Sequence, residues 1–534
     1  MKTLKHIIIF ALVLLIGCVK LEEDPKSKVF ADGFFDSTTS LEEAVSGVYI
    51  KIINNNNPWE VAMSSTRFRA AFCGADDFTA KTGSNKQNWV DADIFAFRLT
   101  PLSGSMGQNA WDVPWDGITQ ANWVIEGSED LLLDLEEQEL TYALSLIAEA
   151  RMWRAWCYFY LVRMFGPLPI IETYLYNPGE HLNMMSEQVE SVYNFIERDI
   201  RFATVHGNPS LSNIKQSRIT KEAADAFMAE YALTRAGWPL NQTNYYDSAQ
   251  VYSEKVINSN IFQLFPSFDE LFDPINEDNS EYIWQLNFCL SAVCSNGGNV
   301  FSQKGSKPDE FKGFCDFFVE KTFANNFPEG PRKIRSLVST QKLVVENDTV
   351  ELEFAVDHAF MSKFWGSSYD PSKLRDEHPS SSWSDLDLPM IRLAEVQFIY
   401  AEAQAMSDGA PSATSLDYVN QIRRRGAGLD AYSPDLTIDL PSGLSAVDFQ
   451  NEILEERGWE FMGEMQRWFD LTRLEKVAEV TANRDPSELE LINAAPVPGD
   501  GLSIGDEYYY MKPTKDAEQN PNLDQVNDEV LIFD

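Results

Sequence analysis

Adjacent carboxylates are the side chains of this sequence that could perform acid–base chemistry. Glu455 and Glu456 stand side by side, shortly before Trp459-Glu460-Phe461. A glycosidase needs two carboxyl groups that flank a sugar in a cleft, about 5 Å apart in retaining enzymes and further apart in inverting ones. The chain contains 82 acidic residues, so adjacent pairs arise by chance. We therefore expect no catalytic role for this pair.

Other catalytic patterns do not stand out either. The five histidines are scattered, and no Ser/His/Asp order, phosphate loop or zinc motif is visible. Arg467, Asp470 and Arg473 have the spacing of helix neighbours and are interpreted as helix-surface ion pairs that tie helices together. The sequence thus predicts a protein that is not an enzyme, with an anchored hydrolase as a distant alternative.

Cys18 has the most specific chemical context in the chain. A basic head precedes ten apolar residues (7–16), and Gly17-Cys18 follows. This run is shorter than the about 20 residues that cross a bilayer, and it has the length of a signal-peptide core. The frame Leu15-Ile16-Gly17-Cys18 resembles a bacterial lipobox, whose cysteine becomes the acylated N-terminus. We predict a lipoprotein signal peptide over 1–17, lipid attachment (palmitate among the acyl chains) at Cys18 and a flexible tether over 18–30. The alternative is an ordinary cleaved signal.

Composition limits the classes of partner. The chain carries 43 lysines and arginines against 82 acidic residues, which gives a formal net charge of −39. Binding to phosphate backbones or to anionic lipid needs a cationic surface, so nucleic acid is excluded and any membrane attachment must come from the lipid anchor. The hydrophobic fraction of 44% is that of a globular protein, so most acidic residues belong to a solvated surface.

Hydrophobic periodicity predicts a mainly α fold. In residues 139–165 the apolar positions step by three and four, and Gly166-Pro167 provides the stop signal. Further helices are predicted over 39–53, 110–126, 186–203, 220–236, 244–259, 389–408, 413–427 and 446–474. Several form pairs with short polar turns and alanine-rich faces, which indicates tetratricopeptide-like hairpins without a strict repeat. Strand-like runs at 282–286 and 343–345 lie in irregular regions, where binding surfaces are common.

Several segments match the motifs of one family, in that family's order. The match comprises an opening helix at 34–49, a tryptophan-containing helix at 111–122, a helix at 149–165 that closes on Phe165-Gly166-Pro167-Leu168-Pro169, and the segments 388–403, 418–425, 455–461, 463–473 and 520–523. This series of motifs follows the lipobox in the chain. It resembles the SusD/RagB family of nutrient-binding outer-membrane lipoproteins over essentially the whole mature chain. Two positions depart from the family pattern, because 327–332 lacks its aspartate and 525–527 replaces its C-terminal Gln-Asn pair.

The resemblance implies a single SusD-like body over 31–534. Four helical hairpins (within a scaffold of 31–53, 110–260 and 389–475) would support an irregular, loop-rich binding half (54–109 and 265–388). The resemblance also implies a lipid-anchored protein exposed on the cell outer membrane. It would capture glycan and deliver it to a SusC-like TonB-dependent transporter, for which it acts as a lid. Peptide uptake, as in RagB-like members, is the alternative, because the acidic charge would suit basic peptides whereas loop tryptophans favour sugar.

A glycan site requires exposed aromatic faces beside amide, guanidinium and carboxylate groups. The resemblance places this platform in the segment before the Trp111 helix and in loops of the irregular half. We therefore predict ligand binding by Trp89, with Asn88, Arg67 and Asp77 as polar partners, and by Tyr369 or Trp383 from the other side. The alternative for each aromatic residue is packing on the protein body.

No cofactor is predicted for the chain. A structural calcium ion is conceivable at the acidic loop Gly74-Ala75-Asp76-Asp77, although the spacing fits no EF-hand. Cys157 lies in an apolar helical stripe and is predicted to be a core residue. Cys289 and Cys294 could pair with each other.

Overall fold

The computed structural model describes residues 33–53, 74–83, 87–94, 104–174, 182–208, 218–288, 308, 313, 315–345, 348–353, 357–365, 386–489 and 508–533. The predicted signal peptide (1–17), Cys18 and the tether (18–30) lie outside the described residues, as do Cys289 and Cys294.

Helices dominate the described residues, so the prediction of a mainly α protein is confirmed. In chain order they are α1 (Thr38–Ile53), α2 (Gln87–Asp93), α3 (Gly104–Gly127), α4 (Glu129–Asp134), α5 (Glu137–Phe165), α6 (Val189–His206), α7 (Lys221–Ala236), α8 (Tyr245–Asn258), α9 (Phe268–Leu271), α10 (Lys321–Asn326), α11 (Pro331–Ser336), α12 (Leu393–Asp408), α13 (Ala413–Gly426), α14 (Ala446–Phe461), α15 (Arg467–Arg473), α16 (Val477–Thr481) and α17 (Thr514–Gln519). Within these ranges, no helix combines the length and the apolar character that crossing a membrane requires.

The strands are short and form two-stranded pairs. They are β1 (Phe78–Ala80), β2 (Tyr282–Leu286), β3 (Phe317–Val319), β4 (Leu337–Val338), β5 (Thr340–Val345), β6 (Asp348–Glu353), β7 (Phe360–Met361) and β8 (Leu388–Arg392). The pairs are β1 with β3, β2 with β8, β4 with β7 and β5 with β6, all antiparallel. Both strand-like runs of the sequence, 282–286 and 343–345, are therefore confirmed as strands.

The long helix α5 is central to the packing. It is buried on nearly every side from Ala143 to Phe165, and it packs against α1, α3 and α6. Cys157 of α5 is a fully buried free thiol, as predicted. A Cβ atom on Gly117 of α3 would lie 3.0 Å from the Cys157 sulfur, so the absence of a side chain at 117 lets the two helices approach closely. The helix ends at Gly166, whose φ of +71° suits glycine.

Consecutive helices pack in pairs, as the predicted hairpins require. The pairs are α5 with α6, α7 with α8, and α12 with α13, and α8 also packs against α12. In the turn after α12, Gly409 adopts a left-handed φ of +83°. The Ser412 hydroxyl then accepts a 3.1 Å hydrogen bond from the Ser415 backbone N–H and caps α13.

Two predicted helices were too long. The segment 389–408 begins as strand β8, which pairs with β2, and α12 starts only at Leu393. Residues 389–392 are extended because they pair with β2. The segment 446–474 is divided into α14 and α15, because Gly463 and Met465 adopt φ values of +78° and +75° that end a helix.

The chain beyond residue 507 returns to the helical body. The Ser186 N–H donates to the Gln525 carbonyl and the Asn527 N–H donates to the Ser186 carbonyl, each over 2.9 Å. The Tyr510 N–H donates to the Met164 carbonyl near the end of α5, over 2.7 Å. Because Ser186 is part of this bridge, α6 begins at Val189 rather than at the predicted 186.

A buried ion-pair cluster, named here the arginine–glutamate cluster, connects strands to helices. Its members are Arg392, Arg425, Glu281, Glu460 and Glu464, none more than 5% exposed. The Arg392 guanidinium donates to Glu460 over 3.0 Å and to Glu464 over 2.7 Å. Arg425 binds Glu460 over 2.5 Å and also pairs with Glu281. The cluster therefore joins β8 and the residue before β2 to α13, to α14 and to the segment after α14.

Arg467, Asp470 and Arg473 form ion pairs, as predicted, and these pairs are buried. All three side chains are 4–5% exposed. Arg473 donates to Asp470 over 3.0 Å and to Glu402 of α12 over 2.5 Å, while Arg467 binds Asp76. The Arg473–Glu402 pair joins α15 to α12, as predicted. The burial of these side chains comes from the elements that enclose α15, which spacing along one helix does not reveal.

Candidate functional site

The predicted binding segment is held against a strand pair. In the β1–β3 pair, Phe78 lies opposite Val319 and Ala80 lies opposite Phe317. The helix α2, which carries Trp89, packs against β1. The Trp89 ring lies 5.7 Å from the Phe317 ring at an interplanar angle of 45°. As a result Trp89 is 7% exposed and belongs to the hydrophobic core.

Asp93 fixes the position of α2 relative to the strand. Its Oδ2 accepts from the Thr79 hydroxyl over 3.1 Å and from the Ala80 N–H over 3.0 Å. Arg484 donates to both carboxylate oxygens, over 2.8 and 3.2 Å. Both charged side chains are buried, so this corner of the segment is a closed, hydrogen-bonded unit.

The acidic loop before β1 is neutralised in part by an arginine of the protein itself. Both oxygens of Asp76 accept from Arg467, over 2.7 and 2.6 Å. Asp77 is buried, and burial together with the nearby Asp76 charge raises the pKa of its carboxyl well above the ordinary value. In the described part of the chain, no group of three or more His, Cys, Asp and Glu side chains is arranged to hold a metal ion.

The predicted ligand-binding residues are thus only partly placed. Trp89 and Asp77 come together beside β1, but both are buried. Asn88 lies in α2, and its side chain is outside the described residues, as are Arg67, Tyr369 and Trp383. Trp89 is on a helix rather than in a loop, and a sugar ring cannot stack on a side chain that is 7% exposed without a rearrangement.

The paired carboxylates of α14 have separate environments. Glu455 is 55% exposed, whereas the Glu456 side chain is 2% exposed and binds Arg332 and Arg423 over 2.6 and 2.9 Å. One carboxyl faces solvent and its neighbour is neutralised by arginines. This is not the arrangement of two carboxyl groups that flank a sugar.

Glu460, the third acidic residue of that motif, is a structural anion. Burial opposes its ionisation, but Arg425, Arg392, Arg332 and Lys363 outweigh burial and lower the pKa of Glu460 to about 2. The carboxylate therefore stays charged over the physiological pH range and holds the arginine–glutamate cluster together.

A cleft that the sequence did not reveal opens between α3 and α17. We name it the tryptophan cleft; its volume is about 560 Å³, and Trp111, Trp115, Asp112 and Asp516 are among its lining residues. Another cleft, of about 540 Å³, lies beside α6 and is lined by arginines and by Phe533. Neither cleft includes a predicted site residue. Each cleft is lined by segments that are distant in the sequence, so local sequence patterns do not predict it.

Family models match two separate parts of the chain. A model described as "SusD family" matches residues 360–529. A second model, described as "Starch-binding associating with outer membrane", matches residues 21–233. The two matched ranges together include the predicted motifs from the opening helix to the C-terminal segment.

Relatives and solved structures are similar over nearly the whole chain. The SusD-like protein P2 of Formosa agariphila is 26% identical over 98% of this chain and 99% of its own, and the SusD-like protein P25 of the same organism is 23% identical over 85% and 86%. A SusD homologue from Bacteroides thetaiotaomicron has a TM-score of 0.74 at 20% identity, covering 92% of this chain and 97% of that chain. A structure with xylogluco-oligosaccharide has a TM-score of 0.67 at 19% identity, covering 93% and 99%.

Proposed function

Because this chain belongs to the SusD family, we propose that it is a cell-surface glycan-binding lipoprotein. It captures an oligosaccharide or polysaccharide and delivers it to a partner TonB-dependent transporter, for which it acts as a lid. The observation that carries the glycan assignment is the match of residues 21–233 to the starch-binding model, since this range contains the predicted binding segment 54–109. The shared fold with a structure that contains xylogluco-oligosaccharide supports the same ligand class.

Within this proposal, the buried and the remaining predicted residues have different roles. Trp89 and Asp77 stabilise the binding segment from the protein interior, because both are buried beside β1. Arg67, Asn88, Tyr369 and Trp383 are the residues we propose for direct contact with glycan. The protein itself performs no bond cleavage, and the commitment of Glu456 and Glu460 to arginines supports this.

Binding experiments with the mature protein test the ligand class. We expect retention in native gels that contain starch or xyloglucan, and heats of binding with maltoheptaose or xylogluco-oligosaccharide. A wider glycan array with basic and acidic peptides as controls covers ligands outside these two. Binding confined to peptides would establish the RagB-like alternative. Release of shorter sugars during prolonged incubation would contradict the assignment as a binding protein.

Localisation and partner require the full chain in its own cell. We expect the protein in the outer-membrane fraction, accessible to added protease, and recovered together with a TonB-dependent transporter. A Cys18→Ala variant should leave the membrane fraction and lose incorporation of labelled palmitate. Persistence of that variant at the membrane would contradict anchoring at Cys18.

A further inference from the structure

The tryptophan cleft has the size of a ligand site. Its volume of about 560 Å³ is within the roughly 300–1,000 Å³ of small-molecule sites. One wall is α3, the opposite wall is α17 with the residues that follow it, and the segment after α5 closes the end. The cleft lies on the helical scaffold, so it shares no residue with the predicted glycan site.

An aromatic platform forms part of the α3 wall. Trp115 is half-buried, and its ring is 5.6 Å from the Trp111 ring and 5.6 Å from the Tyr158 ring. The Tyr158 contact is edge-to-face, at 83°. These neighbours fix the orientation of the Trp115 indole, and a platform held in place loses little entropy when a flat ligand face stacks on it.

Polar groups from both walls are held close to this platform. The Gln108 amide donates to Asp112 Oδ1 over 2.8 Å and to Asp516 Oδ2 over 2.9 Å, so it joins a carboxylate of α3 to one of α17. Burial, and to a smaller extent the charge of Asp516, raises the pKa of Asp112. Lys515 and Gln519, both exposed at the rim, add hydrogen-bond donors to the acceptors of the aspartates.

We propose that the tryptophan cleft is a second saccharide-binding site, which takes a neutral pyranose ring. The apolar face of the ring would stack on Trp115, and its hydroxyl groups would donate to Asp112 and Asp516 and accept from Gln519 and Lys515. Donors and acceptors on facing walls match a polyol, which offers both at every hydroxyl group. The inference goes beyond the proposed function by adding a site, and it rests on that function only in the class of ligand.

Two sugar sites on one chain change the binding of long glycans. Once a polymer is bound at either site, its remaining units reach the second site at a raised effective concentration. We therefore expect polysaccharide to bind more tightly than its repeating unit, whereas a monosaccharide glycoside reports on each site separately.

The test uses small methyl glycosides and surface substitutions. The probes are methyl α-D-glucopyranoside, methyl β-D-glucopyranoside, methyl β-D-galactopyranoside and methyl α-D-mannopyranoside, titrated by saturation-transfer NMR against the full mature chain. Asp516→Asn and Gln519→Ala alter the cleft without removing a core side chain. Glu518→Gln, on the same helix but outside the lining, is the matched control. Thermal melting verifies that all variants are folded.

We expect at least one glycoside to bind the wild-type protein and the control equally. In Asp516→Asn the glycoside loses a hydrogen bond to a charged carboxylate, so its affinity for this variant should fall by about tenfold or more. Equal binding to wild type and both cleft variants, or no glycoside binding at all, overturns the proposal. Binding of the cationic peptide acetyl-Gly-Arg-Gly-amide in the cleft, together with an absence of glycoside binding, would also overturn the proposal.

The two proposals fail in different ways. If polysaccharide is captured by wild type and both cleft variants while no glycoside binds the cleft, the second site is wrong and the proposed function stands. If glycosides bind the cleft and no polysaccharide or oligosaccharide is retained, the cleft assignment stands and glycan capture as the main function is contradicted.

Discussion

Glu395 is a buried carboxyl at the first turn of α12 that is surrounded by charges of both signs. Its Oε1 lies 3.7 Å from Arg457 Nη2, and its side chain is 2% exposed. Burial and the nearby Glu230 raise the pKa of Glu395 to about 8, against the opposing effect of Arg457. The folded protein therefore holds this proton to a higher pH than the unfolded chain does.

We predict a pH-dependent stability difference between wild type and Glu395→Gln. The stability that Glu395 contributes by keeping its proton is fully present below the unfolded pKa of about 4.5, and it is lost as the pH rises through about 8. Glutamine cannot ionise, so the variant does not lose this stability. The melting temperature of the variant relative to that of wild type should therefore be higher at pH 9 than at pH 6. Melting curves of both proteins at these two pH values measure the effect. Glu329→Gln, at an exposed residue, is the control, and a pH-independent difference for Glu395→Gln contradicts the prediction.

Trp89 tests the distinction between support and contact. Trp89→Leu keeps an apolar side chain against Phe317 but removes the aromatic face. We expect it to lower the free energy of unfolding by about 1–3 kcal/mol, as core substitutions commonly do, and to leave glycan affinity unchanged. Calorimetric titration with the best glycan from the array, after a melting curve, gives both quantities. Loss of affinity with an unaltered melting temperature would show that Trp89 contacts the ligand directly.

At the scale of elements, Gly463 is one of the two left-handed residues, with Met465, that separate α14 from α15. Gly463 has a φ of +78°, and a Cβ atom there would collide with the Met361 sulfur. Gly409 has a similar φ of +83°, but a Cβ atom there would have no neighbour within 4 Å. A substitution at Gly409 therefore isolates the effect of the backbone conformation from that of the collision.

We predict that Gly463→Ala is more destabilising than Gly409→Ala. The left-handed backbone costs about 1–2 kcal/mol with alanine at either position. At 463 the collision should add about 1–3 kcal/mol, the usual cost of overpacking a core. Urea unfolding of both variants provides the comparison. Equal losses would mean that Met361 moves aside without cost.

The long helices were predictable from periodicity, whereas the start of one of them is determined by a distant strand. The paired helices α5, α7, α8 and α13 begin and end within a few residues of the predicted limits. The start of 389–408 was wrong because β2, more than 100 residues away, supplies a pairing partner for Leu388–Arg392. Periodicity measures only the face that a helix buries, so it is insensitive to such distant strand partners.

The candidate site was less predictable than the fold. Trp89 packs on Phe317 of β3, and the Asp77 carbonyl accepts from the Glu320 N–H just after β3, contacts that the local sequence around residues 74–94 does not reveal. The tryptophan cleft was missed for the same reason, since Asp112 and Asp516 share one amide donor across about four hundred residues of chain. Sequence motifs indicated the family, whereas the environment of each predicted site residue required tertiary structure.

For the whole molecule, net charge provides a test of ligand class. The chain carries a formal charge of −39, so a basic peptide would be attracted over long range and salt would screen that attraction. A neutral glycan lacks this contribution. We predict that the dissociation constant of the neutral glycan stays constant between 50 and 500 mM NaCl. Over this range the Debye length falls from about 14 to about 4 Å. A steep loss of affinity with salt, measured by calorimetry, would favour a cationic ligand.

The arginine–glutamate cluster also affects how such a protein can acquire a new ligand. Arg392 and Arg425 each bind more than one carboxylate, so replacing either arginine removes a counterion from several buried carboxylates at once. Adaptive changes within the cluster would have to arrive together, which makes them rare in a population. Single changes in surface loops or at the rim of the tryptophan cleft carry no such requirement. Selection for a different ligand would therefore alter those surfaces first and leave the scaffold nearly unchanged.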